Sequence, residues 1–171
     1  MRLFVAVLFS PEILAELREA IDRLRRTAVS GNFTHPDNLH MTLAFIGEST
    51  RVEDIVQSML EAGPQPFEIT LSGCGKFRQS GGDIVWAGIA QNRPLAEYAG
   101  RLADLLRLKG FDIESRAFKP HITLGRQVVL PERLNLEIKP ISMRCGKISL
   151  MRSDRPGGRL TYTEIRSVST E

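Results

Sequence analysis

Two of the three histidines in this 171-residue chain open the same tetrapeptide. His40-Met41-Thr42-Leu43 and His121-Ile122-Thr123-Leu124 both read H-x-T-L and stand eighty-one positions apart. Composition alone is a poor account of such a pair, so the repeat is the first feature to explain. Imidazole exchanges its proton near neutral pH, so two of them in one site can act as acid and base. A hydroxyl two positions after each can donate to an oxygen on which negative charge builds up. That set suits the opening of a cyclic phosphodiester. One imidazole takes a proton from water and the other gives one to the departing alkoxide, with no metal and no covalent intermediate.

The blander readings are specific. A single histidine in an apolar strand is commonly a hydrogen-bonded core residue, and threonine is a frequent strand former. What separates these residues from that background is their shared register. In a strand, side chains alternate faces, so each His-Thr pair points one way. Met41, Leu43, Ile122 and Leu124 then point the other way, under helices. Two opposed lobes, one per motif, would bring four side chains into one cleft. His35 lies in a His-Pro turn without such a motif and reads as a surface residue.

The elements needed to hold two such strands can be read along the chain. Leu3 to Phe9 is an apolar run of strand length with no small-residue cleavage site after it, and reads as a buried first strand rather than a leader. Ser10 and Pro11 begin a helix carried by Ile13, Leu17, Ile21 and Leu24. Leu39 to Ile46 is a strand, Val52 to Leu60 a helix stopped by Gly63-Pro64, and Phe67 to Leu71 and Ile84 to Ile89 are strands. The glycine-rich stretch Ser72 to Gly82 reads as their hairpin connection. Leu95, Tyr98, Leu102 and Leu106 mark a third helix ended by Gly110. His121 to Leu124, Lys147 to Met151 and Leu160 to Ile165 complete the strands, the last two around Pro156-Gly157-Gly158. No linker divides residues 1 to 171, which predicts one α+β unit.

Composition narrows the field further. The chain is 42% hydrophobic and 25% charged with a formal charge of +3, the balance of an ordinary globular protein with a mild preference for anionic partners. No apolar run approaches the roughly twenty residues that span a bilayer, so the expectation is a cytoplasmic monomer with no membrane role. Cys74 and Cys145 have no zinc spacing and read as separate thiols, and no HExxH or His-Asp cluster occurs. Gly73-Cys74-Gly75-Lys76 invites a phosphate-loop reading, but Phe77 replaces the required hydroxyl residue.

With its motifs in view, the chain resembles the two-histidine phosphoesterase superfamily, and within it the RNA 2′,3′-cyclic phosphodiesterases, also called 2′-5′ RNA ligases. The likeness runs through Arg2-Leu3-Phe4-Val5-Ala6, Asn38 to Gly47, Val85-Trp86-Ala87-Gly88 and Phe118 to Arg126. It implies a bilobal, pseudo-symmetric α+β fold of the LigT-like type, with two antiparallel-rich sheets facing a central cleft and helices outside. It also implies hydrolysis of RNA 2′,3′-cyclic phosphate ends to 2′-phosphates without a cofactor or metal. His40 would then be the proton donor to the 3′-oxygen, His121 the proton acceptor from water, and Thr42 and Thr123 would hold the phosphate. The substrates so implied are RNA ends, tRNA fragments among them, or small cyclic nucleotides. Phe33 departs from the tryptophan that relatives often carry there, a difference expected at the rim.

Other residues have two readings. Alternation puts Arg126 on the face away from His121 unless the strand ends or bulges at Gly125, in which case it could reach a phosphate. Phe45, at the matching place in the first motif, is expected in the core. Phe118 and Lys119 could touch the nucleoside and its phosphate or serve only to lead into the strand. Trp86, inside an apolar strand, is expected in the core. Arg152, Arg155 and Arg159 could guide an RNA backbone or be solvated. Three functions stay open at this point: hydrolysis, the reverse ligation through a 5′-hydroxyl, and an RNA-end-binding module without turnover.

Overall fold

The computed structural model describes residues 1–171, and its strands form two antiparallel sheets. The chain order is β1 (Arg2–Val7), α1 (Pro11–Thr27), β2 (Ser30–Phe33), β3 (Met41–Glu48), α2 (Val52–Glu61), β4 (Phe67–Phe77), β5 (Asp83–Ile89), α3 (Arg93–Leu108), β6 (Ile122–Val129), β7 (Ser142–Cys145), β8 (Lys147–Asp154) and β9 (Thr161–Ser169). The first sheet is ordered β3-β1-β8-β9 and the second β2-β6-β5-β4-β7. One histidine motif therefore starts a strand in each sheet, and β3 and β6 run close together. The expected α+β architecture of two antiparallel sheets is present. The sheets do not correspond to halves of the sequence, however, because β8 and β9 return to the first sheet and β2 belongs to the second.

Local chemistry explains the helices. Ser10 accepts from the Ile13 amide at 3.4 Å at the head of α1, and Pro11 occupies the first turn, where its missing N–H costs nothing. Asn92 caps α3 by accepting from the Leu95 amide at 3.1 Å, and Gly110 follows with φ 87°, a left-handed turn open to glycine. Ile13, Leu17 and Leu24 of α1 and Leu95, Leu102 and Leu106 of α3 are fully buried in the main core with Met41, Leu43, Ile122 and Leu124. Burial of each such side chain is worth about 1.5–3 kcal/mol. Helix α1 packs on β6 and α3 on β3, so the apolar half of each motif is held from behind by a helix.

Three sequence expectations change. β2 and β7 are additional short strands, four residues each and poor in β-branched residues. β4 continues to Phe77, so the stretch expected as a connection is mostly strand. Its pairing skips between Leu71 and Cys74, where Gly73 has φ 67°, and then runs on opposite β5. No helix is long and apolar enough to cross a membrane.

Candidate active site

Both motif histidines sit one residue before their strands begin, and the same backbone feature orients both. The Nδ1–H of His40 donates to the Asn38 carbonyl at 2.7 Å, and that of His121 donates to the Lys119 carbonyl at 2.7 Å. A carbonyl can only accept, so each ring carries its proton on Nδ1 when neutral and presents Nε2 for exchange. Asn38 is itself anchored through its Nδ2, which donates to the Leu160 carbonyl at 3.0 Å. Thr34 fixes the second motif from the side, its hydroxyl donating to the Thr123 carbonyl at 2.9 Å.

The surroundings of the two rings differ. His40 is half-buried between Phe4 and Tyr162, with ring centroids 4.9 and 5.1 Å away, and its Nε2 is 2.9 Å from the Thr42 hydroxyl. Burial pushes its pKa below 6.5; the Asn38 carbonyl opposes this, while the nearby Arg126 and His121 add to the lowering. The strands that carry the two motifs, β3 and β6, also approach each other. His121 meets the edge of Phe77 at 5.1 Å and lies 6.3 Å from Trp86.

Several expectations are settled by bulges. On β6, Asp83 pairs with Val128 and Val85 with Gly125, so three residues of β6 advance against two of β5. Gln127 takes φ 50° and accepts from Asn32 Nδ2 at 2.7 Å. A second slip precedes it, where Val85 pairs with Gly125 and Trp86 with Thr123, and this slip around Leu124 brings Arg126 to the cavity that contains His40 and Thr42. On β3 the register slips twice against β1, around Leu43 and around Ile46, which turns Phe45 outward. Phe45 is 48% exposed and lines the same cavity, contrary to its expected core position.

Trp86 is also misplaced by strict hydrophobicity. It stands opposite Thr123, only half-buried, with its ring 5.3 Å from Phe77 and facing His121 rather than the core. A Cβ on Gly75 would come within 2.4 Å of this ring, so the glycine in the neighbouring strand makes its seat. Buried Val85 and Ala87 on either side were the available signal, since their alternation puts Trp86 on the opposite face.

Of the remaining candidates, Phe118 packs against the core, and Lys119 is exposed with its ammonium 5.3 Å over Phe77. Phe33 packs on the main core under Arg25 instead of forming a rim. Arg152 and Arg155 line the cavity, whereas Arg159 donates to His35 Nε2 at 2.8 Å. Tyr162 and Phe4 flank His40; Phe4 lies in one of the segments that carry the family likeness but is not marked by it as a site residue, and Tyr162 lies in none of them. Cys74 and Cys145 are both free thiols.

Comparison with known proteins bears on the fold and the family. The 2′-5′ RNA ligase superfamily model matches residues 11–157. The chain is 35% identical over 130 residues to an RNA 2′,3′-cyclic phosphodiesterase of Archaeoglobus fulgidus, covering 74% of this chain and 72% of that protein. It is 33% identical over 177 residues to the Escherichia coli RNA 2′,3′-cyclic phosphodiesterase, covering 96% and 94%. Among solved structures, E. coli LigT complexed with 3′-AMP superposes with a TM-score of 0.80 at 31% identity, covering 98% of this chain and 97% of that one. TT0787 of Thermus thermophilus superposes at 0.82 with 28% identity, covering 99% and 98%. With two H-x-T-L motifs set on two sheets and matches that span nearly its whole length, the chain belongs to the 2′-5′ RNA ligase superfamily, among the two-histidine phosphoesterases.

Proposed function

We propose that this protein hydrolyses 2′,3′-cyclic phosphate ends of RNA to 2′-phosphomonoesters by metal-independent acid–base catalysis. The observation that carries the reading is the paired histidine geometry: each Nδ1 is tied to the carbonyl two residues back, which leaves two Nε2 atoms for proton transfer. In the proposed reaction His121 Nε2 accepts a proton as water attacks phosphorus. The bond from phosphorus to the 3′-oxygen breaks, and His40 Nε2 donates its proton to that oxygen. The product keeps the phosphate on the 2′-oxygen, and proton exchange with solvent resets both rings. Thr42, Thr123 and Arg126 stabilise the charge that develops on the non-bridging oxygens.

The lowered pKa of His40 has a place in this scheme. A donor must enter the reaction protonated, and burial beside Arg126 disfavours that in the free chain. A phosphodiester anion bound at Arg126 would offset the guanidinium charge and raise the His40 pKa, so substrate would recruit the proton it later receives. The assignment of donor and acceptor draws on the family likeness, and the names of the relatives above support RNA ends as substrate.

The test is to incubate the protein, with excess EDTA, with a short RNA bearing a 2′,3′-cyclic phosphate and to identify the product. A 2′-phosphate from the wild type, and none from folded His40→Ala or His121→Ala, is the expected result. Bound RNA without turnover would replace hydrolysis by end-binding, and a joined 2′-5′ product would replace it by ligation.

A further inference from the structure

The two sheets have no strand in common, so the relative placement of His40 and His121 depends on what joins β3 to β6. One short segment, Thr34 to Asn38, touches both motifs. It leaves β2 after Phe33, which pairs with Gly125 of β6. Thr34 carries that pairing on towards His121. Its amide donates to the Leu124 carbonyl at 2.9 Å and its hydroxyl to the Thr123 carbonyl at 2.9 Å, so one residue holds two successive carbonyls of the second motif. The chain then makes one tight turn, Pro36–Asn38, closed by the Asn38 amide donating to the His35 carbonyl at 2.8 Å. Asn38 is buried at the end of this turn. Its carbonyl accepts from His40 Nδ1 at 2.7 Å, and its Nδ2 donates to the Leu160 carbonyl at 3.0 Å. The neighbour of that acceptor is pinned to the same segment, with Arg159 donating to His35 Nε2 at 2.8 Å. The second ring lacks such an anchor on its own side, because Lys119 is exposed with its side chain over Phe77.

We infer that Thr34 and Asn38 are positioning residues that together set the separation and aim of the two imidazoles. Thr34 acts through the backbone of the second motif, and Asn38 through the ring of the first. This rests on the acid–base reading and deepens it. Substrate binding tolerates a small displacement of either ring, whereas proton transfer through both Nε2 atoms in one step does not, so the loss falls on kcat.

The experiment measures kcat, KM and the ring NMR resonances of His40 and His121 in folded variants. Thr34→Val keeps size and β-branching and removes the hydroxyl donor, and Asn38→Ala removes the bond to Leu160. Each should lower kcat on the order of ten- to a hundredfold with KM little changed, and Thr34→Ser should recover most of the loss. The double variant should lose less than the product of the single losses, because one alignment is spoiled only once. Thr34→Val should also move the resonances of both rings. Thr70→Val, which removes a hydrogen bond to Ser142 at the opposite edge of the second sheet, should move neither. Wild-type kcat in Thr34→Val, a loss confined to KM, or losses that multiply in the double variant would overturn the shared positioning. Ring resonances that Thr34→Val leaves in place would do the same, whatever the turnover. A wild type that turns over no cyclic phosphate, with both rings displaced by Thr34→Val, would support the positioning and reject the hydrolase reading instead.

Discussion

The two histidine motifs are built on one backbone plan and set in two different environments. In both, a carbonyl two residues back fixes the ring, a strand begins at the next residue, a threonine follows at the second, and a bulge brings the fifth into the cavity. Those fifth residues are Phe45 and Arg126, an apolar ring on one side and a cation on the other. His40 is enclosed by Phe4 and Tyr162 and bonded to Thr42, while His121 borders Phe77 and Trp86. The common plan provides two orientable imidazoles, and only their neighbours can make one differ from the other. Chemical asymmetry is therefore carried by side chains around a nearly symmetric frame.

The strongest way to break the comparison is to remove a ring. His40→Ala and His121→Ala should each lower kcat by about a thousandfold or more, and the double variant should be little worse than either single one, because donor and acceptor act in the same step. A residual rate near wild type in either would deny that ring a part in the reaction. The threonines come next. Thr42→Val and Thr123→Val should each cost on the order of a hundredfold in kcat by removing a donor to the charged oxygens. Thr42→Val should in addition shift the pH-rate profile, since Thr42 is the one bonded to its histidine Nε2 at 2.9 Å. Equal profiles for the two variants would mean that this hydrogen bond does not distinguish the motifs.

How far the sequence carries this comparison depends on periodicity. The strands and helices with regular apolar spacing were legible, and so were the opposed faces of the motifs: Met41, Leu43, Ile122 and Leu124 are buried as alternation predicts. The site beyond the His-Thr pairs was less so. A single inserted residue reverses which face follows it, so strict alternation puts Phe45 in the core and does not fix the side of Arg126. Hydrophobicity does not distinguish an interior ring from a cleft wall, so it points Trp86 to the core. Gly75 looked like a turn residue although it lies within β4, where its missing side chain admits the Trp86 ring. Sheet membership was not legible either, since pairings such as β1 with β8 join residues far apart in the chain.

That glycine offers a smaller test on the second motif alone. Gly75→Ala would place a methyl within 2.4 Å of the indole, so the ring must move. Expected are a destabilisation of about 1–3 kcal/mol, typical of overpacking, and a changed emission from Trp86, the chain's single tryptophan. Because His121 adjoins that ring, kcat should fall while the His40 titration stays in place. Unchanged emission and midpoint would show that the indole is not seated on Gly75.

The smallest effect concerns the first motif and follows from its lowered pKa. His40 titrates below 6.5 in the folded chain because of burial, with Arg126 and His121 adding to the effect. Above 6.5 both folded and unfolded chains hold this imidazole neutral. Between 6.5 and the lowered value the unfolded chain binds a proton that the folded chain does not, so acidification favours unfolding. The stabilisation is complete above the unfolded pKa and is lost as pH falls through the folded one. Arg126→Gln removes one of the lowering charges. It should raise the His40 pKa part of the way, as read from its imidazole NMR resonances, and flatten the acid slope of the denaturation midpoint without abolishing it, because burial remains. A bound phosphate anion should move the wild-type resonance in the same direction. A free His40 that titrates at or above 6.5, or one that Arg126→Gln moves downward, would remove the electrostatic difference between the two motifs and with it the role assigned to substrate charge.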